Sequence, residues 1–215
     1  LLFCQRNPKS CPLLDVTEPG SYIPAMIAGN ADIRKDIPKY RIYRDGVFTE
    51  EVADITEYWE DDMVGFLIGC SFTFETPLLE RGIPIRHIEE NCNVPMYKTN
   101  ILCNKAGMFE GPTVVSMRPM TPEDAIRAVQ ITSRFPAVHG APIHIGDPAQ
   151  IGIKDITKPD FGDAVSFKPG EVPVFWACGV TPQAVAMESK PSIMITHSPG
   201  HMFISDIKDE AFSVL

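Results

Sequence analysis

Twenty prolines and fifteen glycines are distributed along the 215 residues of this chain rather than gathered in one tract. Proline fixes φ and removes a backbone donor, and glycine opens backbone conformations that other residues avoid. Long uninterrupted helices and strands are therefore excluded over most of the chain. The sequence predicts many short elements joined by defined turns, without internal repeats or low-complexity segments.

The composition is that of a globular chain with enough residues for one large domain or two small ones. Hydrophobic residues make up 44% and charged residues 22%, and the net charge is −9. The negative charge argues against nucleic acid and anionic membranes as partners. No apolar run approaches the roughly 20 residues of a membrane span, and the first residues lack a signal-peptide pattern. The expected partner is a small-molecule substrate, with homo-oligomerisation left open.

Six scattered cysteines contain no CxxC pair. A chain of this size does not need disulfides, so we predict reduced thiols in the cytoplasm, or in the mitochondrial matrix of a eukaryote. The spacing also lacks the pattern of a zinc site. Nucleotide-binding loops of the GxxxxGK[ST] or GxGxxG type, GxSxG and HExxH are absent. We therefore predict neither a metal nor a cofactor.

Local patterns predict strands that alternate with helices. Residues 40–49 suit a hairpin around Asp45-Gly46, and Thr121 with Pro122 suits the start of a helix at 122–135. Further helices are predicted at 59–69, 76–82 and 181–188, and strands at 83–88, 94–102, 113–118, 143–145, 172–177, 192–196 and 201–206. The strand-helix-strand pattern at 172–196 predicts a βαβ unit of a parallel sheet. The whole indicates a mixed α/β architecture.

Residues 131–148, ITSRFPAVHGAPIHIGDP, combine ionisable side chains with several prolines and glycines. Such a constrained loop is a typical place for binding and catalytic groups. We select His144 as a candidate acid or base, and Arg134 and His139 as candidate substrate-binding residues. The alternative is a surface turn with solvated charges.

Two segments place a cysteine where an apolar run meets a turn. Residues 66–75 read FLIGCSFTFE, and residues 175–183 read FWACGVTPQ. A helix start favours a thiolate and offers backbone N–H groups to an oxyanion. The alternative is a packed junction with buried thiols. The candidates are Cys70 and Cys178 as nucleophiles, Glu75 as acid or base, and Ser71 and Gly179 as binding residues.

The remaining candidates come from both ends and the middle of the chain. His197 and His201 are four residues apart, but the intervening Pro199 and Gly200 forbid the helix that a metal site with this spacing needs. His197, at a predicted strand end, is instead a candidate for proton transfer. Residues 86–101 also offer polar groups, although Arg86 and Glu89 there suit an ordinary ion pair. Further substrate-binding candidates are Arg6, Asn7, Tyr97, Asn100 and His201.

Taken together, several segments resemble the hydro-lyase family that includes D-glutamate cyclase. The segments are FCQRNPKSCPLLDVTEPG, DDMVGFLIGCSFTFE, IPIRHIEENCNVPMYKTNI, GPTVVSMRPM, RAVQITSRFPAVHGAPIHIGDP, GEVPVFWACGVTPQ and THSPGHMFISD. The resemblance implies a three-layer α/β domain with a smaller two-layer α+β domain inserted. We place the larger domain at 1–79 and 151–215 and the smaller at 80–150. Family members begin about fifty residues earlier, so we expect a missing N-terminal segment.

The resemblance also implies a carbon–oxygen lyase, and in the cyclase D-glutamate loses water to give 5-oxo-D-proline. For such a reaction, His144 or His197 is a candidate base, and Glu75, with its pKa raised by burial, a candidate acid. Arg134 or Arg6 would hold the α-carboxylate, and backbone amides at the two cysteine turns would hold an oxyanion. Two alternatives remain open: a cysteine-nucleophile amide hydrolase, and a non-enzymatic protein that binds a small acid.

Overall fold

A computed structural model describes residues 1–214, which form three antiparallel sheets joined by short helices and turns. The helices are α1 Leu2–Arg6, α2 Glu75–Glu80, α3 Arg86–Glu89, α4 Pro122–Thr132 and α5 Thr181–Ser189. The strands are β1 Leu13–Val16, β2 Tyr40–Arg44, β3 Val47–Val52, β4 Phe66–Ile68, β5 Met96–Leu102, β6 Pro112–Met120, β7 His144–Ile145, β8 Val172–Ala177 and β9 Ile193–His197. Short 3-10 helices occupy Thr56–Tyr58, Ser71–Phe74, Pro136–Val138, Pro148–Ile151 and Asp209–Phe212. Within the described residues, no helix is long and apolar enough to cross a membrane.

The sheets have two, three and four strands. Their orders are β1-β4, β3-β2-β9 and β5-β6-β8-β7, and the paired strands run antiparallel. The mixed α/β character predicted from the sequence is confirmed. The largest sheet combines strands from residues 96–145 with β8, so it extends across the predicted boundary at 150–151. The division into a three-layer domain and an inserted two-layer domain stays a prediction.

Most local predictions are confirmed. The hairpin forms with Asp45 and Gly46 at φ 50° and 78°, and α4 starts where the Thr121 side chain accepts a hydrogen bond from the Asp124 N–H at 3.1 Å. Gly82, at φ 74°, follows α2 as a helix-ending residue does. Elements also form close to the predicted strands at 94–102, 113–118, 143–145, 172–177 and 192–196, and to the predicted helix at 181–188.

The predicted helix at 59–69 is wrong. Its apolar part forms β4, which pairs antiparallel with β1 from Leu13 with Ile68 to Val16 with Phe66, with an irregularity between Leu13 and Asp15. The run is only a few residues long, and a sheet partner outweighs the weak helical preference of such a run. Glycines flank β4 where the chain is crowded, since a Cβ on Gly65 would lie 2.4 Å from Ile33 Cδ1.

The predicted strand at 83–88 is also wrong, because the chain turns into α3 at Arg86. One helical turn brings Glu89 Oε2 to 2.8 Å from Arg86 Nε, and Arg86 also donates to Ser166 and to Glu171 Oε1 at 2.6 Å. A buried guanidinium needs such partners, so the ion pairs favour the helical turn. The predicted ion pair between Arg86 and Glu89 is confirmed, although on a helix.

The predicted parallel βαβ unit and the strand at 201–206 are wrong as well. Strand β8 lies in the four-stranded sheet, whereas β9 pairs antiparallel with β2, from Tyr40 with His197 to Arg44 with Ile193. Residues 201–206 are irregular, and Ile204 is 86% exposed. Backbone groups of this segment bond to loops instead: the His201 N–H donates to the Ser198 carbonyl at 3.0 Å and the Asp206 N–H to the Ile27 carbonyl at 2.9 Å.

The two faces of the four-stranded sheet carry different side chains. Opposite residues on paired strands share a face, so the register places Ser116, Arg118 and Trp176 on one face. We call this the arginine face, and it packs against α2 and α4. The other face, here the tyrosine face, carries Tyr97, Met117, His144 and Phe175 and packs against residues 148–165.

Candidate functional site

Arg118 is the centre of a buried polar cluster on the arginine face. The side chain is 1% exposed, and its Nε donates to Glu75 Oε1 at 2.9 Å. Its Nη2 donates to the same oxygen and to Ser71 Oγ at 3.2 Å, and Nη1 donates to Ser116 Oγ at 3.1 Å. The guanidinium also lies 5.4 and 5.3 Å from the rings of Phe74 and Trp176. Arg118 therefore links strand β6 to Ser71 and to Glu75, the first residue of α2.

Glu75 is held in its ionised form inside this cluster. Burial alone would raise its pKa, but the charge of Arg118 and a contact from His87 Nε2 at 3.4 Å outweigh burial and lower it. This direction is opposite to our expectation that burial would make Glu75 an acid. An ionised carboxylate accepts protons and hydrogen bonds, so the geometry suits Glu75 as an electrostatic partner or base.

His139 is a buried, neutral imidazole with one unused nitrogen. Its Nδ1 lies 2.9 Å from the Lys9 carbonyl, which can only accept, so Nδ1 carries the proton. Burial lowers its pKa to about 4, although nearby carbonyls of Lys9 and Gly69 oppose that shift. Nε2 is buried and makes no hydrogen bond of normal geometry within residues 1–214, although the Gly69 carbonyl lies beside the ring. At neutral pH this nitrogen presents a lone pair toward the interior.

The N-terminal segment fixes the loop that carries His139. Lys9 Nζ donates to the carbonyls of His139 at 2.8 Å and Ala141 at 2.5 Å, while its own carbonyl accepts from the imidazole. The Pro12 carbonyl accepts from the Gly69 N–H at 2.8 Å. Residues 9–12 therefore order two parts of the site. One is the loop around His139, here the histidine loop. The other is the turn at Gly69-Cys70, here the first cysteine turn; the second is the turn at Cys178-Gly179.

The two cysteine turns contact each other through glycines. A Cβ on Gly179 would lie 3.6 Å from the Gly69 carbonyl and 3.9 Å from His139 Nε2. A Cβ on Gly69 would lie 2.2 Å from the Ala137 carbonyl, which no real side chain tolerates. Gly69 therefore lies closer to the loop of His139 than a residue with a Cβ could, whereas a Cβ at Gly179 would make only ordinary contacts.

The thiols at these turns are protonated. Burial raises the pKa of Cys70 to about 12 and raises that of Cys178. The N–H groups of Gly179 and Val180 lie at the Cys178 sulfur and oppose the shift without reversing it. Protonated thiols are poor nucleophiles and can donate protons, and the nucleophilic role of these cysteines stays a prediction.

The remaining candidates lie outside this cluster. His144 is on the tyrosine face, where its ring is 5.7 Å from Phe175 and its Nε2 is 2.8 Å from the Asp147 carbonyl. Tyr97 shares that face and donates to the Ile156 carbonyl at 2.6 Å. Arg134 and Asn100 are exposed. Other contacts hold Arg6 to the Lys105 carbonyl, Asn7 to the backbone of Phe3 and Asn104, and the Nδ1 atoms of His197 and His201 to the carbonyls of Ser198 and Pro199.

A surface depression lies near Cys70. It has a volume of about 390 Å³ and is lined by Met202, Asn30, Asp36 and Asp206 among others. Met202 Sδ is 3.4 Å from Cys70 Sγ, so Met202 separates the depression from the first cysteine turn. Within residues 1–214, no three His, Cys, Asp or Glu side chains are arranged to hold a metal ion.

Comparison with known proteins assigns the family. The family model described as D-glutamate cyclase matches residues 64–206, which include both cysteine turns, Glu75, Arg118 and His139. The chain belongs to the D-glutamate cyclase family. The resemblance found in the sequence is thereby confirmed.

Several members of this family match the chain over its whole length. A protein of Geobacillus kaustophilus named "Putative hydro-lyase GK2103" is 72% identical over 100% of this chain and 82% of its own length. The Bacillus subtilis protein "Putative hydro-lyase YcsI" is 68% identical over 100% of this chain and 84% of its own length. A Stutzerimonas stutzeri protein named "Putative hydro-lyase" is 65% identical over 100% of this chain and 81% of its own length.

Sequence reasoning missed several residues of the cluster in this family member. The signal for Arg118 was present, because a charge inside the apolar run TVVSMRPM must be buried and must have a partner. His87 lay in a segment with several polar residues and had no distinguishing pattern of its own. Two further residues were missed. Ser116 accepts from Arg118 two positions along the same strand. Lys9 holds the loop of His139, a contact between segments far apart in the sequence.

Proposed function

We propose that this protein is a carbon–oxygen lyase that cyclises D-glutamate to 5-oxo-D-proline with loss of water. Membership of the D-glutamate cyclase family supports the class of reaction. The observation that carries the assignment to this site is the neutral, unpartnered His139 Nε2 beside two protonated thiols. The site thus offers one proton acceptor and two proton donors where the two cysteine turns meet the loop of His139.

The cyclisation moves protons from nitrogen to oxygen. The substrate ammonium has three protons, the product nitrogen keeps one, and the two others leave with a γ-carboxylate oxygen as water. We assign the first transfer to His139, whose Nε2 takes one ammonium proton and so frees the amine lone pair that attacks the γ-carbon. The Cys178 thiol protonates a γ-oxygen, and the Gly179 and Val180 N–H groups favour the resulting thiolate. The imidazolium then protonates the same oxygen, which leaves as water, and the second nitrogen proton returns to the Cys178 thiolate.

The arginine cluster orients the substrate in this proposal. Ser71 Oγ accepts from Arg118, so the Ser71 hydroxyl proton points away from the guanidinium and can donate to a substrate carboxylate. The ion pair between Arg118 and Glu75 fixes this hydroxyl through buried hydrogen bonds. Such fixed dipoles need little reorganisation when charge develops during the reaction.

The test compares two histidines five residues apart in the chain. Proton NMR of the protein with D-glutamate or L-glutamate should show 5-oxoproline from the D-isomer. His139→Gln should lower turnover at least about 100-fold, the lower range for loss of a general base. His144→Gln, on the tyrosine face, should stay within about twofold of wild type. Absence of product from D-glutamate with the folded wild type, or unchanged turnover in His139→Gln, would contradict the proposal.

A further inference from the structure

Three free thiols share one buried apolar cluster that includes the start of the chain. The cluster contains Phe3, Cys4, Cys11, Cys103, Ala106 and Val185. The proposed reaction uses none of these three thiols. Neighbouring thiols can form a disulfide with each other, which a single buried cysteine cannot do.

The backbone folds Cys11 back toward Cys4. Helix α1 ends at Arg6, and Asn7 leaves the helix with φ −129°. The Asn7 N–H donates to the Cys4 carbonyl at 3.1 Å, and the Asn7 carbonyl accepts from the Cys11 N–H at 2.8 Å. The side chains then meet, because the thiols of Cys4 and Cys11 form a hydrogen bond with each other. We call these two residues the thiol pair.

The two members of the thiol pair differ in reactivity. Their hydrogen bond lowers the pKa of Cys4 and raises that of Cys11. The thiolate is the reactive form, so Cys4 is the better nucleophile, and it is 9% exposed whereas Cys11 is 0% exposed. Cys103 is as buried as Cys4, but its Sγ lies 3.5 Å from Thr113 Oγ1 and burial raises its pKa. An oxidant should therefore attack Cys4 first and find Cys11 beside it.

We propose that Cys4 and Cys11 are an oxidation site, which a hydroperoxide such as hydrogen peroxide converts into a disulfide. The Cys4 thiolate attacks one peroxide oxygen, the O–O bond breaks, and the departing hydroxide takes the proton that Cys4 released, giving water. The Cys11 sulfur then attacks the sulfur of the Cys4 sulfenic acid. The S–O bond breaks, and this second hydroxide leaves with the Cys11 proton as water. The thiols together lose two electrons and two protons, and the peroxide is reduced to two waters.

The disulfide acts on the segment that holds the histidine loop. A covalent S–S bond is shorter than any contact between two thiols, so its formation must draw Cys11 toward Cys4. Cys11 lies between Lys9 and Pro12, whose contacts order the histidine loop and the first cysteine turn. We expect this movement to disturb those contacts and to lower turnover. The effect on turnover rests on the proposed function, whereas the oxidation site does not.

Peptide mapping after mild oxidation tests the oxidation site. The protein is treated with hydrogen peroxide, free thiols are blocked with iodoacetamide, and trypsin cuts after Arg6, Lys9 and Arg34. Mass spectrometry should then find the peptide that ends at Arg6 linked to the peptide 10–34. Dithiothreitol should separate the two peptides again.

Two results of this mapping would overturn the proposal. One is a link between the peptides 10–34 and 99–105, because it would pair Cys11 with Cys103 instead. The other is a thiol pair that iodoacetamide still blocks completely at a peroxide dose that has oxidised Cys92, a half-buried cysteine outside the cluster.

Two matched variants separate the thiol pair from the other thiols. Cys4→Ala removes the attacking thiol, keeps the position apolar and should abolish the link, whereas Cys103→Ala should keep it. In the wild type, turnover of D-glutamate measured by proton NMR should fall as the link forms and return with dithiothreitol. Cys4→Ala should keep its turnover in peroxide. An equal loss in Cys4→Ala would place the sensitive thiol at Cys70 or Cys178 and overturn the effect on the histidine loop.

The oxidation site and the proposed function fail separately. A protein that forms the link but no 5-oxoproline would keep the oxidation site and lose the cyclisation. A protein that forms 5-oxoproline but no link would keep the cyclisation and lose the oxidation site. Equal turnover with and without the link would overturn only the effect of the disulfide on the histidine loop.

Discussion

The two faces of the four-stranded sheet bury different kinds of side chain. The arginine face encloses a charged pair and three hydrogen-bonding neighbours, Ser71, Ser116 and His87. The tyrosine face encloses an apolar cluster in which Tyr97 makes one buried polar contact. An apolar cluster fills the other side of the same strands. Packing of this sheet alone therefore does not require the polar groups of the arginine face.

The contrast is sharpest between two histidines of one short loop. His139 is 1% exposed and has a nitrogen without a partner, whereas His144 is half-buried and bonds to the Asp147 carbonyl. Five residues of chain carry the backbone from one side of the sheet to the other. Closeness in sequence therefore says little about membership of a site.

The largest expected effect is on the arginine face. Arg118→Met would leave the Glu75 carboxylate buried without its strongest partner, so we expect the free energy of unfolding to fall by about 3–5 kcal/mol. Urea unfolding measures this loss. The double variant Arg118→Met with Glu75→Leu should recover part of it, because neither charge of this pair then remains without its partner.

A surface pair provides the control for that variant. Lys105 Nζ and Glu110 Oε2 are 2.7 Å apart, but both side chains are more than half exposed. Lys105→Met should therefore cost less than about 1 kcal/mol. An equal loss in the two single variants would show that Arg118 has no special role in the buried cluster.

A second, smaller effect concerns acid stability. His139 has a pKa of about 4 in the folded protein and about 6.5 when unfolded, so between these values only the unfolded chain binds the proton. The free energy of unfolding should therefore fall as the pH drops from 6.5 to 4. At 1.36 kcal/mol for each pKa unit, the full difference corresponds to about 3 kcal/mol.

Urea unfolding at several pH values measures this slope, and His139→Gln should make it shallower. Burial also lowers the pKa of His197, so His197 contributes with the same sign and some slope will remain. An unchanged slope in His139→Gln would mean that the imidazole is not held neutral in the folded protein.

The smallest effect is expected on the tyrosine face. Tyr97→Phe removes the hydrogen bond to the Ile156 carbonyl and keeps the ring, so the free energy of unfolding should fall by about 1 kcal/mol. Turnover of D-glutamate should stay at the wild-type rate, as measured by proton NMR. A large loss of turnover would place the tyrosine face, and the sequence-based choice of Tyr97, back in the site.

The sequence predicted local structure well where the signal is local. Asp45-Gly46 set the hairpin and Thr121-Pro122 set the start of α4, because turn and cap preferences act within a few residues. It failed at residues 59–69, where pairing with β1 outweighed local preference. Of the candidate site, both cysteine turns, Glu75 and His139 could be selected from residue type and loop context.

By itself, then, the sequence determined the family, the short elements and the segments that carry chemistry. Tertiary structure alone decided which charges share a site and in which protonation state. Arg118 pairs with Glu75 across 43 positions of the chain, and that pairing reverses the pKa shift that burial alone would give. The physical reason is that a pKa depends on burial and on neighbouring charges, and both are properties of the folded arrangement rather than of any segment.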